Sequence, residues 1–421
     1  MKSHTVLLSQ VTAIGFGKAP ERFDLRFDLS KQIVLEVAEA GTLQASQNEK
    51  HIQGKNLYLS PAWADLNAFG GEPNDEHRET LTHLAAAARA GGFKYLALRP
   101  DTQHPITEAT TVSWLKQRGQ ELGVRFLPTG GLTQNLKGED LTEILDFHAA
   151  GVLLFSNGNR CLQSASLVLK ALKYLQTCEG VLVQFPQDHN LTEQAQLHEG
   201  IISTQLGMPG FPAFAESLIV ERDLKLLEYA GGRLHFAGIS TEASIEAVRQ
   251  AKEKGLSVSC DVAAHQVSLF DADLVDFDTH KKIKPPFRNE KDKAATTEGL
   301  LDGTIDYIAS HHTPWHEEAK KLEFNLAEFG IINLQTAASL AWESWGETLG
   351  IQNFIKKLSE NPRRLLGIEV PKLEVGADLD FTLFAPDQEW TFTPENNLSK
   401  SANSPFFGKT MQGKIIKEAF S

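Results

Sequence analysis

Apolar and polar positions come in blocks along this chain, and from about residue 57 the blocks repeat as an apolar run, a polar turn and an amphipathic segment. Eight of the apolar runs have the length and composition of buried strands. They lie at residues 57–66, 95–98, 124–127, 152–156, 181–185, 234–239, 258–262 and 307–310. Strands that alternate with helices predict parallel pairing through right-handed crossovers.

Two of the intervening segments show the helical period clearly. Segment 164–177 places apolar residues on one face, namely Leu167, Val168, Ala171, Leu172 and Leu175. Segment 241–254 offers Thr241 as an N-cap and Gly255 just beyond its C-terminal end, where a left-handed residue commonly ends a helix. Both segments are predicted to pack one face against a sheet.

The two chain ends differ from the middle, because they contain short β patterns and no long helical period. Eight strand–helix units over roughly 250 residues favour closure into a (β/α)8 barrel, with an open doubly wound sheet as the second choice. The predicted fold is therefore an α/β barrel with a small β-sandwich formed by both termini. The expected division is 1–56 plus 365–421 for the sandwich and 57–364 for the barrel.

Charge and cysteine content narrow the functional classes. The chain has 41 Lys and Arg against 54 Asp and Glu, a net charge of −13, so a nucleic-acid role is not expected. Cys161, Cys178 and Cys260 lie far apart in apolar runs, which is typical of buried reduced thiols. The N-terminus lacks the pattern of a signal peptide, and no long apolar run predicts a membrane span. We expect a cytoplasmic protein.

Several blocks of sequence carry a family resemblance in a consistent order. They are residues 59–66 with Glu72-Pro73, residues 210–216, 233–241, Lys284-Pro-Pro-Phe-Arg288, 298–306 and 361–367. Together they resemble the dihydroorotase branch of the amidohydrolase superfamily from about Leu57 to the C-terminus. That resemblance implies a metal-dependent hydrolase barrel and the reversible ring closure of carbamoyl aspartate to dihydroorotate in pyrimidine biosynthesis. The family uses one or two zinc ions, which polarise the carbonyl and supply hydroxide.

The metal-ligand positions of the family have changed in this chain. The resemblance aligns them with Asn67, Phe69, Asn157, Phe185, Gly238 and His311. None of the first five offers an imidazole or a carboxylate, and His311 stands where the family has its aspartate base. We therefore expect no metal and no other cofactor, with Phe69 and Phe185 filling space that a metal site would occupy.

The substrate-gripping positions have also diverged. The resemblance aligns them with Gly71, Asp101, Lys284 and Trp315, in place of an arginine, two asparagines and a histidine. A guanidinium replaced by glycine cannot hold a carboxylate at two points. The residues that still match family positions are His235, His265, Arg288 and His312. The resulting hypothesis is a catalytically inactive dihydroorotase homologue, with remnant catalytic positions at His235 and His311.

Such a chain is expected to serve as a structural or regulatory partner, possible partners being aspartate transcarbamoylase, as the resemblance suggests, and a second copy of itself. One alternative is an active cyclic amide hydrolase with a site rebuilt from Asp101, His235, His311 and His312. Adjacent residues of a strand face opposite ways, so His311 and His312 are not expected to share a metal. Another alternative is a non-catalytic sensor of a pyrimidine precursor, with Lys284 and Arg288 as anion contacts.

Overall fold

The computed structural model describes residues 4–17 and 19–420 of the chain. Its strands are β1 (Thr5–Ala13), β2 (Glu21–Asp28), β3 (Ile33–Glu39), β4 (Lys50–Gln53), β5 (Tyr58–Pro61), β6 (Trp63–Ala68), β7 (Phe93–Leu98), β8 (Arg125–Pro128), β9 (Gly130–Gly131), β10 (Leu154–Ser156), β11 (Val181–Gln184), β12 (Leu197–His198), β13 (Gly210–Phe211), β14 (Leu234–Phe236), β15 (Val258–Ala263), β16 (Tyr307–Ala309), β17 (Phe381–Thr391) and β18 (Thr410–Ile415).

The helices are α1 (Leu81–Ala90), α2 (Ala109–Glu121), α3 (Ile144–Ala149), α4 (Ala165–Leu175), α5 (His189–Thr192), α6 (Ile201–Leu206), α7 (Phe214–Ala230), α8 (Glu242–Glu253), α9 (Glu290–Asp302), α10 (Glu317–Lys320), α11 (Ala337–Leu358) and α12 (Glu360–Leu365). Within the described residues, none of these helices combines the length and apolar character needed to span a membrane.

The predicted barrel is confirmed. Strands β6, β7 and β8 pair in parallel, and a second parallel array runs in the order β9, β10, β11, β14, β15 and β16. Strands β8 and β9 are separated only by Thr129, whose N–H donates to Leu98 at 2.9 Å. A parallel bridge between Ala68 and His312 closes the ring, and the Phe69 N–H donates to the His312 carbonyl at 2.9 Å. Every predicted strand run contributes to this ring.

One of those runs contains two strands. Residues 57–66 read as a single apolar segment, but β5 pairs with β1 and β17 in the terminal sheet, whereas β6 enters the barrel. The change of partner occurs at Ala62, whose N–H donates to the Asp380 carbonyl at 2.9 Å. A run of apolar residues carries no signal for such a change, because both strands are buried.

The two clearly patterned helices also form as predicted. Helix α4 is capped by Ser164, which accepts from the Leu167 N–H, and its five predicted apolar residues are buried. Helix α8 is capped by Thr241, which accepts from the Ser244 N–H. Gly255 follows it with a φ of +79°. Side-chain caps of this kind satisfy donors that the first helical turn leaves free.

Both chain ends contribute to one small β domain beside the barrel. Its sheet runs in the order β18, β17, β5, β1, β2 and β3, with β4 paired to β1. Apolar side chains from both ends share a core that includes Val6, Leu25, Phe27, Phe381 and Leu383. The boundaries at residues 56 and 365 stay a prediction. The three cysteines are buried and unpaired, as expected for reduced thiols.

Candidate functional site

The six family ligand positions all come to the carboxyl ends of barrel strands, where a barrel places its reacting groups. Asn67 lies in β6 and Phe69 directly after it, Asn157 and Phe185 follow β10 and β11, and Gly238 and His311 follow β14 and β16. All six are buried. The barrel therefore brings these positions to one end of the fold. The chemistry available there depends on the side chains that occupy them.

A buried carboxylate, Asp261 of β15, organises the floor of this region. Its two oxygens lie 2.6 Å from Nε2 of His311 and 2.9 Å from Nε2 of His235, and it accepts from the Gly238 N–H at 2.8 Å. Burial raises the pKa of this carboxyl, but the two imidazoles outweigh burial and hold it below its ordinary value. His235 and His311, the two remnant catalytic positions, therefore both hydrogen-bond to Asp261.

The sequence-based interpretation missed Asp261. An acidic residue within the apolar run 258–262 is a signal that could have found it, because a carboxylate in a buried strand needs partners. His235 also approaches Ser259, with its Nδ1 3.0 Å from the hydroxyl oxygen. The remnant positions at His235 and His311 are thus brought together, through a residue that was not predicted.

The ring of His311 occupies space beside Gly238. A Cβ built on Gly238 would lie 2.7 Å from His311 Cε1 and 3.4 Å from Phe185 Cε2. Gly238 also has a φ of +71°, which favours glycine. His311 has a φ of +49°, an uncommon value for a residue with a side chain. A side chain at position 238 and the present placement of His311 exclude each other.

An aromatic and cationic stack fills the region next to Phe69. The Arg78 guanidinium carbon lies 3.8 Å from the centroid of the Phe69 ring and 3.5 Å from that of Trp315. Its Nε donates to the Pro314 carbonyl at 3.0 Å. Burial, with a smaller contribution from Arg99, lowers the pKa of Arg78 to about 10. Phe69 and Trp315 thus hold an arginine between them.

Two further predicted pocket residues are engaged within the protein. Asp101 pairs with Arg99 at 3.1 Å and accepts from the Asn159 N–H at 3.4 Å. It also lies against Gly158, where a Cβ would come within 2.3 Å of the Asp101 carboxyl carbon. His265 has its Nδ1 3.1 Å from the Asn333 side-chain nitrogen, and burial, followed by His311, lowers its pKa to about 3. The His265 ring is therefore neutral.

Arg288 is held in a buried ion pair and does not face the barrel mouth as an open anion contact. It lies 3.3 Å from Glu216 and donates to the Ser240 hydroxyl at 3.0 Å. Glu216 in turn accepts from Ser240 and Thr241. Arg288 also approaches His198, whose pKa is lowered to about 4 by burial and then by Arg288. The N–H groups of Arg288 that the sensor hypothesis assigned to a ligand are therefore bonded within the protein.

His311 and His312 have separate partners, although both lie beyond β16, which ends at Ala309. Nδ1 of His312 accepts from the backbone N–H of Asn333 at 3.1 Å, and its Nε2 lies 3.4 Å from Glu79. Asn157 is likewise engaged, since its side-chain oxygen accepts from the Thr133 N–H at 3.2 Å. His312 and Asn157 are therefore bonded away from Asp261, whereas His311 contacts it.

The donor set does not fit the zinc site that the family resemblance implies. One imidazole and two amide side chains remain at the six positions. Among the residues that the structure describes, the buried Asn67 oxygen has no hydrogen-bond partner, but Nε2 of His311 faces Asp261. Zinc sites use three or four nitrogen, sulfur or carboxylate ligands. Among residues 4–17 and 19–420, no group of three His, Cys, Asp or Glu side chains is placed to hold a metal ion.

A small cavity remains at the mouth. It measures about 30 Å³ and is lined by Asn159, His265, Ile283, Lys284, His311, Thr313, Phe329, Gly330 and Ile331. The Lys284 ammonium lies 4.5 Å from the Phe329 ring centroid and 5.6 Å from that of Phe211. Of the predicted pocket residues, Lys284 and His265 therefore line one cavity with the remnant catalytic position His311, whereas Asp101, Arg288 and Trp315 are not among its lining residues.

Comparison with known proteins matches this fold and these sequence blocks. The family model described as Dihydro-orotase-like matches residues 57–244. A dihydroorotase of Pelotomaculum thermopropionicum is 37% identical over 380 residues, which are 90% of this chain and 89% of the relative. A dihydroorotase of Syntrophus aciditrophicus is 34% identical over 364 residues, 86% and 85% of the two chains.

Solved structures agree on the architecture. The L-hydantoinase (dihydropyrimidinase) of Arthrobacter aurescens superposes with a TM-score of 0.81 at 20% identity, covering 99% of this chain and 94% of that one. A dihydropyrimidinase of Brevibacillus agri gives 0.78 at 17% identity. At this identity the likeness shows the fold, a (β/α)8 barrel with a terminal β-sandwich. Sequence identity of 37% over nine-tenths of the chain goes further: the chain belongs to the dihydroorotase family.

Proposed function

We propose that this chain is a dihydroorotase-family protein of pyrimidine biosynthesis that has lost zinc-dependent catalysis. The family relationship supports the dihydroorotase-like part. Loss of catalysis is supported by the Asp261 group, in which His311 and His235 bind a carboxylate within the protein. Without a metal, no Lewis acid polarises the amide carbonyl and no bound water is converted to hydroxide near neutral pH.

The size of the mouth cavity supports the same conclusion. Pockets that bind small organic molecules usually enclose roughly 300–1,000 Å³. The cavity beside His265 and His311 encloses about 30 Å³, and the Phe69–Arg78–Trp315 stack occupies the adjoining space. Dihydroorotate has eleven heavy atoms, so it requires a rearrangement of buried side chains before it fits beside these residues.

The test is turnover by the purified chain. Dihydroorotate hydrolysis and carbamoyl aspartate cyclisation are measured with and without added zinc, beside the dihydroorotase of Pelotomaculum thermopropionicum as the active control. We expect no turnover in either condition. Zinc-dependent turnover that is lost in His311→Gln would overturn the proposal and favour the rebuilt site with Asp101, His235, His311 and His312.

We further propose a structural or regulatory role in the cytoplasm, with aspartate transcarbamoylase as the candidate partner and self-association as the second choice. The family resemblance suggests that partner. Exposed apolar side chains on α6 and α7, including Ile201, Phe214 and Leu218, are the kind of surface that protein contacts cover. Sedimentation of this chain with and without aspartate transcarbamoylase from the same organism tests it. Co-sedimentation is expected, and a monomer under both conditions contradicts both partners.

A further inference from the structure

Lys284 is a cation without a compensating group in contact with it. Its ammonium faces the rings of Phe329 and Phe211, and among residues 4–17 and 19–420 it has no hydrogen-bond or ion-pair partner. Burial lowers its pKa, and the exposed carboxylate of Glu328 raises it only in part. A half-buried ammonium in this position gains free energy from any anion that reaches it.

The cavity next to Lys284 has an apolar part, from Ile283, Phe329 and Ile331, and a polar part of nitrogen, amide and hydroxyl groups. The polar lining comes from Lys284, His265, His311, Asn159 and Thr313, and no lining residue carries a carboxylate. His265 stays neutral, because burial lowers its pKa to about 3. The lining therefore attracts negative charge and does not itself supply it.

The Lys284 charge acts at the rim of the mouth, where Asp188 and Glu328 carry the opposite charge. His189 lies near Lys284, and its pKa is lowered by burial and then by the Lys284 charge, with Asp188 opposing and Arg160 adding to the effect. Asn159, Lys284 and Phe329 are partly exposed, whereas His265, His311 and Thr313 are buried. An anion can thus enter beside Lys284 and Asn159 at the rim, whereas His311 and the Thr313 hydroxyl at the floor are bonded to Asp261 and to the His311 carbonyl.

Volume limits what the cavity accepts. A buried water needs roughly 10–15 Å³ of such space, so a cavity of about 30 Å³ holds two waters or an ion of three or four heavy atoms. A planar oxyanion of that size matches both the space and the Lys284 and Asn159 side-chain donors at the rim. Phosphate esters, nucleotides and amino acids exceed it.

We propose that this cavity binds a small monovalent oxyanion, of the size of formate or bicarbonate, with Lys284 as its cationic contact. Lys284 stands where the family resemblance places an asparagine, so the positive charge belongs to this chain. Arg288, the other anion contact expected from the sequence, is committed to Glu216. Binding of this kind is independent of whether the chain retains turnover.

Binding is measured on the full chain without substrate, from the nuclear magnetic resonance line width of isotope-labelled formate and bicarbonate at constant ionic strength. Chloride, sulfate and propionate serve as competitors. Lys284→Met removes the charge and keeps the length of the side chain. Lys293→Met is the matched control, because Lys293 is also half-buried over an aromatic ring, 3.8 Å from the Phe270 centroid, but lies outside the cavity.

We expect saturable broadening for the unchanged chain and for Lys293→Met, and affinity weakened roughly tenfold or more in Lys284→Met, as for the loss of a charged contact. Equal binding in Lys284→Met, or equal competition by chloride and sulfate, would overturn the proposal. Should Lys284→Met fail to fold, Asn159→Phe, which fills the partly exposed rim, must abolish the same broadening.

Discussion

Two buried arginines have different surroundings, one at the boundary between the barrel and the β domain and the other at the barrel mouth. Arg363, at the seam between the barrel and the β domain, donates to the carbonyls of Ala62 and Glu369 and pairs with Asp380 at 2.8 Å. The guanidinium of Arg78, at the barrel mouth, has one hydrogen bond within residues 4–17 and 19–420, to the Pro314 carbonyl, and lies between two aromatic faces. The charge of Arg363 is thus paired with a carboxylate, whereas the charge of Arg78 lies between two aromatic rings.

The difference predicts that substitutions destabilise the protein more at the boundary between the two domains than at the barrel mouth. A fully compensated buried charge is costly to disturb, because removing one partner strands the other. A charge held mainly by aromatic faces gains less from its contacts, so substitutions around it are tolerated more readily. The seam retains the fold, and the mouth is the region where the family ligand positions changed. Two substitutions and one acid titration test this contrast.

The largest effect is expected for Arg363→Met. This change leaves the Ala62 and Glu369 carbonyls without a donor and Asp380 with only Lys94 and the Tyr95 hydroxyl as partners, and should lower the free energy of unfolding by roughly 3–5 kcal/mol. Urea unfolding of the purified chain measures it. Arg364→Met is the control, since Arg364 is exposed, and it should change stability by no more than about 0.5 kcal/mol. Similar losses in both variants would mean that the seam is not compensated as described.

A smaller effect is expected for Arg78→Met. Methionine keeps apolar contact with Phe69 and Trp315 and loses the hydrogen bond and the cation–π contacts, so the free energy of unfolding should fall by about 1–2 kcal/mol. The same urea measurement applies. A loss as large as that of Arg363→Met would show that Arg78 is held by charge compensation, and the contrast between the two ends would fail.

The third expectation concerns acid. The folded-state pKa of His265 is about 3 and that of His198 about 4, both below the ordinary 6.5. At pH values below 6.5 and above these folded-state pKa values, the two histidines bind protons in the unfolded chain but not in the folded chain. The free energy of unfolding therefore falls as the pH falls from 6.5 towards 4. Each histidine contributes a slope of at most ~1.4 kcal/mol per pH unit.

Unfolding measured at several pH values tests this slope, which should become shallower in His265→Asn and stay unchanged in His77→Asn, an exposed control. At the seam, burial and then Asp380 raise the pKa of Tyr95 to about 12, so Tyr95 adds nothing to the slope in this range. An unchanged slope in His265→Asn would show that the mouth does not carry the acid sensitivity.

The sequence was sufficient for the repeating elements and for the family. Local pattern decides where a strand or a helix forms, and capping residues such as Ser164 and Thr241 mark helix starts through contacts three residues away. The eight strand runs therefore identified the barrel, and a barrel necessarily gathers positions such as Asn67 and Phe185 at one end.

The contacts of the side chains at this end of the barrel depend on the three-dimensional packing. His311 binds Asp261 across 50 residues, Glu216 pairs with Arg288 across 72, and Arg78 meets Pro314 across 236. Such pairs depend on which strands are neighbours and on which way each side chain turns, and neither is encoded in local periodicity. For that reason the sequence determined the barrel and the replaced ligands of this protein, and the fold alone decided that Arg288 is committed to Glu216 while Lys284 is free to meet an anion.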